Sequence, residues 1–422
     1  MRFTPLLSFA GTTWMMWVWA RRLAPAHAEH YFWACLAIYL ASPLMNAMSS
    51  LAYPDQILIL MTVVALHFLC TFLADWQAAS RNRIGNLYLG AVFLGLAGLT
   101  KYNAALLGFG LVAVIVINPR LRSLLRSPHL YAAGMLTLLI VSPVFLWNAA
   151  NGFPTLKLHA VQRFQGRGSS FQINGAVRVL GLSALYLSPL LLWAWGRFLL
   201  TRSLTGVLAQ LQALGRVIFV MSIGLLVALA SWKAAASQVA PHWNVIAILP
   251  FMLAAPLFLR SRWLFGIHLA LGIAVSSVAL VYYLSAPLLT DALGMSDREA
   301  RITWGQVEVA DAARAAKKKY GADFYATASY EGASKFAFGL GTDDDVLTFT
   351  DLIDQYDFWR DPNDYAGKSA IVVVEQGREK NLERSFASRE FIETVQPLRF
   401  GRPMVAYDLY LARGYKPSPM RP

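Results

Sequence analysis

Acidic side chains are nearly absent from the first two thirds of the chain. Only three of the 24 Asp and Glu residues, namely Glu29, Asp55 and Asp75, lie in residues 1–289, against 19 Lys and Arg. Residues 290–422 carry 21 acidic and 18 basic side chains. A soluble surface needs more charge than the first part holds, because an average soluble protein has about 25% charged residues. The distribution predicts a membrane domain over residues 1–289 and a soluble domain over residues 290–422.

The first part divides into ten apolar runs. A transmembrane helix needs about 20 mostly apolar residues, so the runs predict an α-helical multi-pass membrane protein with about nine to ten spans. Arg21 and Arg22 follow the first run, whereas a signal peptide carries its positive charge before the apolar run, so a retained helix is favoured over a cleaved leader. The runs cover residues 4–20, 29–48, 56–74, 84–99, 103–118, 129–148, 175–196, 214–231, 243–259 and 263–285.

Basic clusters follow alternate runs and give the orientation. Cytoplasmic loops are enriched in Lys and Arg, so we expect the loops with these clusters to be cytoplasmic. The intervening loops and the C-terminal domain are then expected on the opposite, outward side. The clusters are Arg21 with Arg22, Arg81 with Arg83, Arg120 to Arg126, Arg197 with Arg202, and Arg260 with Arg262.

The outward loops also hold basic residues, which the orientation rule does not predict. Positive charge on the translocated side favours an anionic ligand there, such as a lipid phosphate. Contact with anionic lipid headgroups is the alternative. The residues are Lys101 at the break between the fourth and fifth runs, Lys157, His159, Arg163 and Arg167 in one later loop, and Lys233 and His242 in the next.

Asp55 is the only acidic residue of the membrane part that this orientation places at the outward entrance of a helix. A carboxylate at the first turn can cap the helix and interact with its dipole. It can also belong to the same site as the outward cations. The sequence leaves both roles open.

The C-terminal part has the pattern of a small α/β domain. Residues 297–319 show helical periodicity and end at Gly321. Phe324 to Ser329 and Ala370 to Val374 are predicted strands, and residues 345–349 and 404–412 are weaker strand candidates.

Several site classes lack their motif. The chain has no phosphate-binding loop, no dinucleotide fingerprint and no His-Glu-x-x-His motif, and it carries no nucleic-acid-binding module. The histidines show no paired ligand spacing, so no metal ligands are assigned. The cofactor stays unknown, and a divalent metal remains possible without a visible ligand set.

Several segments together resemble the family 39 glycosyltransferases of bacteria. These enzymes are relatives of protein O-mannosyltransferases, of aminoarabinose transferases that modify lipid A, and of lipopolysaccharide galacturonosyltransferases. No single motif is specific to this family, but the order and spacing of the motifs on the predicted outward loops make the match specific. The segments are Leu51-Ala-Tyr-Pro-Asp55-Gln, Gly95-Leu-Ala-Gly-Leu-Thr-Lys101-Tyr, Ser142-Pro-Val-Phe-Leu-Trp-Asn148, Gly152-Phe-Pro154, His159-Ala-Val-Gln-Arg163-Phe, Pro241-His-Trp243 and Gln355-Tyr-Asp-Phe-Trp359.

The resemblance implies a GT-C fold in the bacterial inner membrane with a periplasmic C-terminal domain and a periplasmic active site. It implies inverting transfer of a sugar from a polyprenyl-phosphate donor to an envelope acceptor: lipid A, another glycolipid or a protein. Asp55 matches an acidic motif and is the candidate catalytic residue, either as a base or to orient the acceptor. Lys101 matches a lysine that contacts the donor phosphate. Arg163 and His242 fall near the donor site, and Lys157 and Lys233 complete the candidate phosphate-binding set.

The chain departs from this family at its start. The family has an additional first helix and a long first outward loop with an acidic residue, whereas this sequence begins at Met1-Arg2-Phe3 inside what resembles the second helix. We expect an upstream start, with a shortened relative as the alternative. Two other classes remain open: a lipid or solute transporter, which would favour charges in mid-span and repeated halves, and a non-catalytic lipid-binding or assembly protein.

Overall fold

The computed structural model describes residues 3–50, 53–79, 84–157, 170–232, 239–295, 297–341, 346–350, 354–379 and 382–417. The chain forms two compact units, Met1–Ser277 and Val278–Pro422. Their division falls inside the helix Arg262–Ser285. The domain limits expected from the sequence, at residues 289 and 290, remain a prediction.

The first unit is helical, and each of the ten apolar runs forms helix. Short 3₁₀ turns at Pro25–His27, Tyr102–Ala104, Arg122–Arg126 and Pro241–Asn244 join some of the helices. The helices are α1 Phe3–Leu23, α2 Ala28–Ala41, α3 Pro43–Ser50, α4 Asp55–Gln77, α5 Ile84–Thr100, α6 Ala105–Ile117, α7 Pro128–Ala150, α8 Pro154–Leu156, α9 Ile173–Leu187, α10 Pro189–Leu200, α11 Gly206–Ser231, α12 Val245–Phe258 and α13 Arg262–Ser285.

The number of spans depends on how bent helices are counted. Among the described residues, five helices are long and apolar enough to cross a membrane, or seven if each bent pair is one span. The helices α5 and α6 are apolar but shorter. The nine to ten spans expected from the sequence include these two helices and α1. The chain is therefore a multi-pass membrane protein.

Two apolar runs are interrupted by sharp bends. Helices α2 and α3 meet at 85° around Ser42, and α9 and α10 meet at 97° around Ser188. Each serine precedes a proline, which has no N–H for the preceding turn and disfavours helical dihedrals in the residue before it. The buried side chain of His268 on α13 joins both bends, because its ring nitrogens lie 3.1 Å from Ser188 Oγ and 3.2 Å from the carbonyl oxygen of Ile38.

Helices α7 and α13 are the least buried of the long apolar helices among the described residues. Large apolar side chains such as Leu138, Leu139 and Leu146 on α7 and Ile273 and Val278 on α13 are more than half exposed. Contiguous apolar surface of this extent indicates contact with lipid. In contrast, α4 and α12 are mostly buried among the other helices and form the centre of the unit.

The second unit contains a five-stranded mixed sheet in the order β2-β1-β3-β7-β4. Strands β2, β1 and β3 are parallel, and β7 and β4 are antiparallel to their neighbours. The strands of this sheet are β1 Phe324–Thr327, β2 Val346–Thr348, β3 Ala370–Glu375, β4 Phe386–Val395 and β7 Tyr407–Tyr415, and a separate hairpin is formed by β5 Leu398–Arg399 and β6 Arg402–Pro403.

Helices cover both faces of this sheet. Two of them, α16 Gln306–Tyr320 and α17 Tyr330–Leu340, pack on one face, and α19 Leu382–Ser385 packs on the other. The remaining short helices are α14 Leu288–Ala292, α15 Arg298–Ile302 and α18 Gln355–Trp359.

The structure corrects some details of the tail. The predicted helix over 297–319 is two helices, α15 and α16, because Gly305 separates them with φ of +86° and lies where a Cβ would overlap Pro397. Strand β4 was not predicted. It lies at the edge of the sheet, so most of its side chains are exposed and it lacks the apolar alternation of a buried strand.

Candidate functional site

Asp55 is the first residue of α4, directly after Pro54. Its side chain is only 3% exposed, although a carboxylate at the end of a membrane helix would ordinarily reach water. Both carboxylate oxygens accept hydrogen bonds from the Lys101 ammonium, at 2.8 and 3.0 Å. Among the described residues no backbone N–H donates to this carboxylate. Of the two roles open to Asp55, the geometry favours the ionic site over the helix cap.

Lys101 lies at the break between α5 and the 3₁₀ turn Tyr102–Ala104. Its backbone is extended, with φ of −162° and ψ of 139°, so the chain leaves the helical path there. The Lys101 side chain is 23% exposed. The ammonium of this ion pair is therefore accessible to a ligand from solvent.

His242 lies beside the pair, on the 3₁₀ turn Pro241–Asn244 that begins the next apolar segment. The charges of Lys101 and Asp55 both act on its ring. The ring also stacks on Tyr53, with centroids 6.4 Å apart and planes inclined by 5°. Tyr53 precedes Asp55 by two residues, so the stacking joins the start of α4 to this turn.

The turn Pro241–Asn244 is held at this place by polar contacts. The Asn103 amide donates to the carbonyl oxygen of Trp243 at 2.8 Å, which links the α5–α6 break to the turn. The hydroxyl of Ser222 on α11 donates to the side-chain oxygen of Asn244. Asp55, Lys101 and His242 therefore occupy three chain segments that are fixed to each other.

Of the other predicted phosphate-binding residues, the structure describes Lys157. Arg163 and Lys233 lie outside the described residues. Lys157 is exposed, after α8, and no described residue forms an ion pair with it. The structure thus brings together Asp55, Lys101 and His242 from the predicted set.

Tyr53 and Asn103 were not predicted from the sequence as site residues. Tyr53 lies inside one motif segment and Asn103 directly follows another, each two residues from Asp55 or Lys101, but an aromatic ring and an amide carry no charge signal. Their position near the two charged residues was the one feature of the sequence that could have indicated a role in the site.

No group of three or more His, Cys, Asp or Glu side chains within the described ranges is placed to hold a metal ion. The group instead offers one buried carboxylate, one partly exposed ammonium and an imidazole at the end of several apolar helices. Such a site can bind a phosphate through Lys101 and orient a hydroxyl through Asp55.

A known family model matches the first part of the chain. Residues 1–147, which include Asp55 and Lys101, match the family model described as dolichyl-phosphate-mannose-protein mannosyltransferase. No curated protein sequence matches the chain.

Two solved structures of ArnT from Cupriavidus metallidurans resemble the chain. The structure bound to undecaprenyl phosphate gives a TM-score of 0.58 and the apo structure 0.54. Each is 16% identical in sequence, and each match covers 96% of this chain and 83% of that chain. The fold and the resemblance to GT-C glycosyltransferases predicted from the sequence are confirmed: a multi-pass helical membrane protein with a small C-terminal α/β region.

Proposed function

We propose that this protein transfers a sugar from a polyprenyl-phosphate donor to a cell-envelope acceptor. The ion pair between Asp55 and Lys101 carries the proposal, because it brings together a cation and a carboxylate, the two charges that the reaction needs. The match of the first 147 residues to a lipid-linked mannosyltransferase family and the fold shared with ArnT support it.

In this reaction the acceptor hydroxyl attacks the anomeric carbon, the bond to the lipid phosphate breaks, and the configuration inverts. The leaving phosphate gains negative charge as the bond breaks, and a fixed cation stabilises that charge. Lys101 is the residue for this role, with His242 beside it. Lys157, Arg163 and Lys233 are proposed as further contacts to the donor phosphate.

Asp55 has a role that depends on Lys101. While both of its oxygens accept from the ammonium, the carboxylate is engaged in the ion pair and serves to orient the acceptor hydroxyl. A donor phosphate competes with Asp55 for the same ammonium. Donor binding would therefore release the carboxylate, which can then take the proton of the attacking hydroxyl.

We infer that the site and the C-terminal unit face the periplasm of a bacterial inner membrane, and the alternation of basic loops along the sequence supports this location. Lipid A, another glycolipid and a protein are the candidate acceptors.

The test is transfer from a panel of radiolabelled polyprenyl-phosphate sugars to membranes of cells that lack this gene. We expect Asp55→Asn and Lys101→Met to lower transfer by at least about 10²-fold, the usual loss when one electrostatic contact to a transition state is removed. The matched controls are Asp75→Asn and Arg126→Met, a half-buried acid of α4 and an exposed arginine of the same unit. Wild-type turnover by both site variants would overturn the proposal.

A further inference from the structure

The second unit contains a cavity of about 530 Å³ near the carboxyl ends of strands β1 and β3. Its walls come from the segment 327–332 after β1, from residues 373–378 at the end of β3, and from Arg298, Lys335 and Tyr407. The volume falls within the ~300–1,000 Å³ typical of small-molecule sites. None of these residues belongs to the group around Asp55 and Lys101.

The cavity lies at a switch point of the sheet. Strands β1 and β3 are parallel neighbours. After β1 the chain enters α17, whose Phe336 packs on one face of the sheet, and after β3 it reaches α19, whose Leu382 packs on the other face. Connections that leave adjacent parallel strands toward opposite faces open a crevice at the carboxyl ends of those strands. Open α/β sheets bind their ligands in that crevice.

The charges around the cavity favour an anion. Glu375 is 15% exposed, and the Arg298 guanidinium neutralises it, with Nε 2.9 Å and Nη2 2.5 Å from the carboxylate. These contacts raise the pKa of Arg298. Three charged side chains then remain at the rim: Glu331, Lys335 and Arg378. The cations exceed the acids by one.

The two rim cations are available. Among the residues that the structure describes, none forms a hydrogen bond or an ion pair with Lys335. Arg378 is 60% exposed and reaches Glu375 only at 3.5 Å. Lys335 is half-buried on α17 and lines the cavity.

We propose that this crevice is a second ligand site, which binds an anionic sugar through Lys335 and Arg378. The volume exceeds what a single phosphate ion fills, and hydroxyl and backbone groups at Thr327, Ser329 and Gly377 line the remainder. A phosphate or carboxylate group of the ligand meets the two cations, and the sugar occupies the space between the strand ends. The ligand could be a free sugar phosphate or the headgroup of a glycolipid, which present the same chemistry.

The test is equilibrium binding to the full-length protein in detergent. Radiolabelled glucose 1-phosphate and a phosphorylated glycolipid in mixed micelles are the two probes, and glucose is the neutral comparison. We expect saturable binding of at least one anionic probe, no comparable binding of glucose, and at least about tenfold weaker binding in Lys335→Ala/Arg378→Ala, since a hydrogen bond to a charged group contributes about 1.5–3 kcal/mol. Binding of the glycolipid alone would identify the lipid as the source.

The matched control is Lys318→Ala/Arg384→Ala, which removes two exposed cations of the same unit outside the cavity. The Lys101→Met variant separates this site from the proposed donor site, and it should bind glucose 1-phosphate as the wild type does. Loss of binding in Lys101→Met with retention in Lys335→Ala/Arg378→Ala would overturn the inference. So would the absence of saturable binding of both anionic probes.

Discussion

Replacing Lys101 by Met removes the ion-pair partner that the structure provides for Asp55. The Asp55 side chain is 3% exposed, so the carboxylate cannot exchange the ammonium for water without local rearrangement. Breaking a buried pair by removing one partner costs about 3–5 kcal/mol, because it leaves an uncompensated buried charge. We expect Lys101→Met to lower the free energy of unfolding of the membrane unit by that amount.

The reverse replacement costs less. In Asp55→Asn the amide oxygen still accepts from Lys101, and the ammonium is 23% exposed and can turn toward water. The loss is then at most that of one charge-assisted hydrogen bond, about 1.5–3 kcal/mol. The double variant Asp55→Asn/Lys101→Met leaves no buried charge and should recover most of the stability lost in Lys101→Met.

Thermal unfolding in one detergent, followed by intrinsic fluorescence, measures this order. At about 2 °C per kcal/mol for a unit of this size, Lys101→Met should lower Tm by about 6–10 °C and Asp55→Asn by less than about 6 °C. Lys157→Met, which removes an exposed lysine of the same unit, should leave Tm unchanged. If Lys101→Met unfolds at the wild-type temperature, or if the double variant is less stable than both single variants, the buried ion pair does not stabilise the unit as described.

Two further predictions concern packing and pH. Gly272→Ala on α13 places a Cβ against the carbonyl oxygen of Ala41, so it should lower Tm, whereas Gly266→Ala on the same helix meets no atom within 4 Å and should be neutral or slightly stabilising. In the second unit, the backbone N–H and hydroxyl of Ser369 donate to Asp323 at 2.8 and 2.9 Å and lower the pKa of that carboxyl. A lowered pKa stabilises the fold above the unfolded value of about 3.9 and ceases to do so as pH falls through the folded value. The difference in Tm between wild type and Asp323→Asn should therefore be present at pH 6 and should shrink as pH falls below the unfolded value of about 3.9 and through the lowered folded pKa. A difference that stays constant over that range contradicts the charge-based account.

The helices were predictable because each apolar run is long enough to form one. The two bends were not predictable, because hydrophobic periodicity does not indicate the direction that a helix takes after Ser42 or Ser188. The following prolines permit a bend, but proline also occurs inside α7 and α12 without interrupting them. Packing decides between these outcomes, and the His268 contacts to both bends come from a helix far along the chain.

The candidate site was predictable in part for an electrostatic reason. In an apolar chain an ionisable side chain persists where it is paired or used, so the charge pattern alone selected Asp55 and seven outward cations. The charge pattern assigned these residues to one side of the membrane, but it did not show which cations lie close to Asp55. Helices α4 and α5 are joined by a short connection and pack antiparallel, with Gly90 of α5 against Leu69 of α4. The start of α4 and the end of α5 therefore lie close together. Among the described cations, Lys101 is the one that this packing brings next to Asp55. The partner of a buried charge thus depends on which helices pack as a hairpin. The residue composition alone does not reveal that packing.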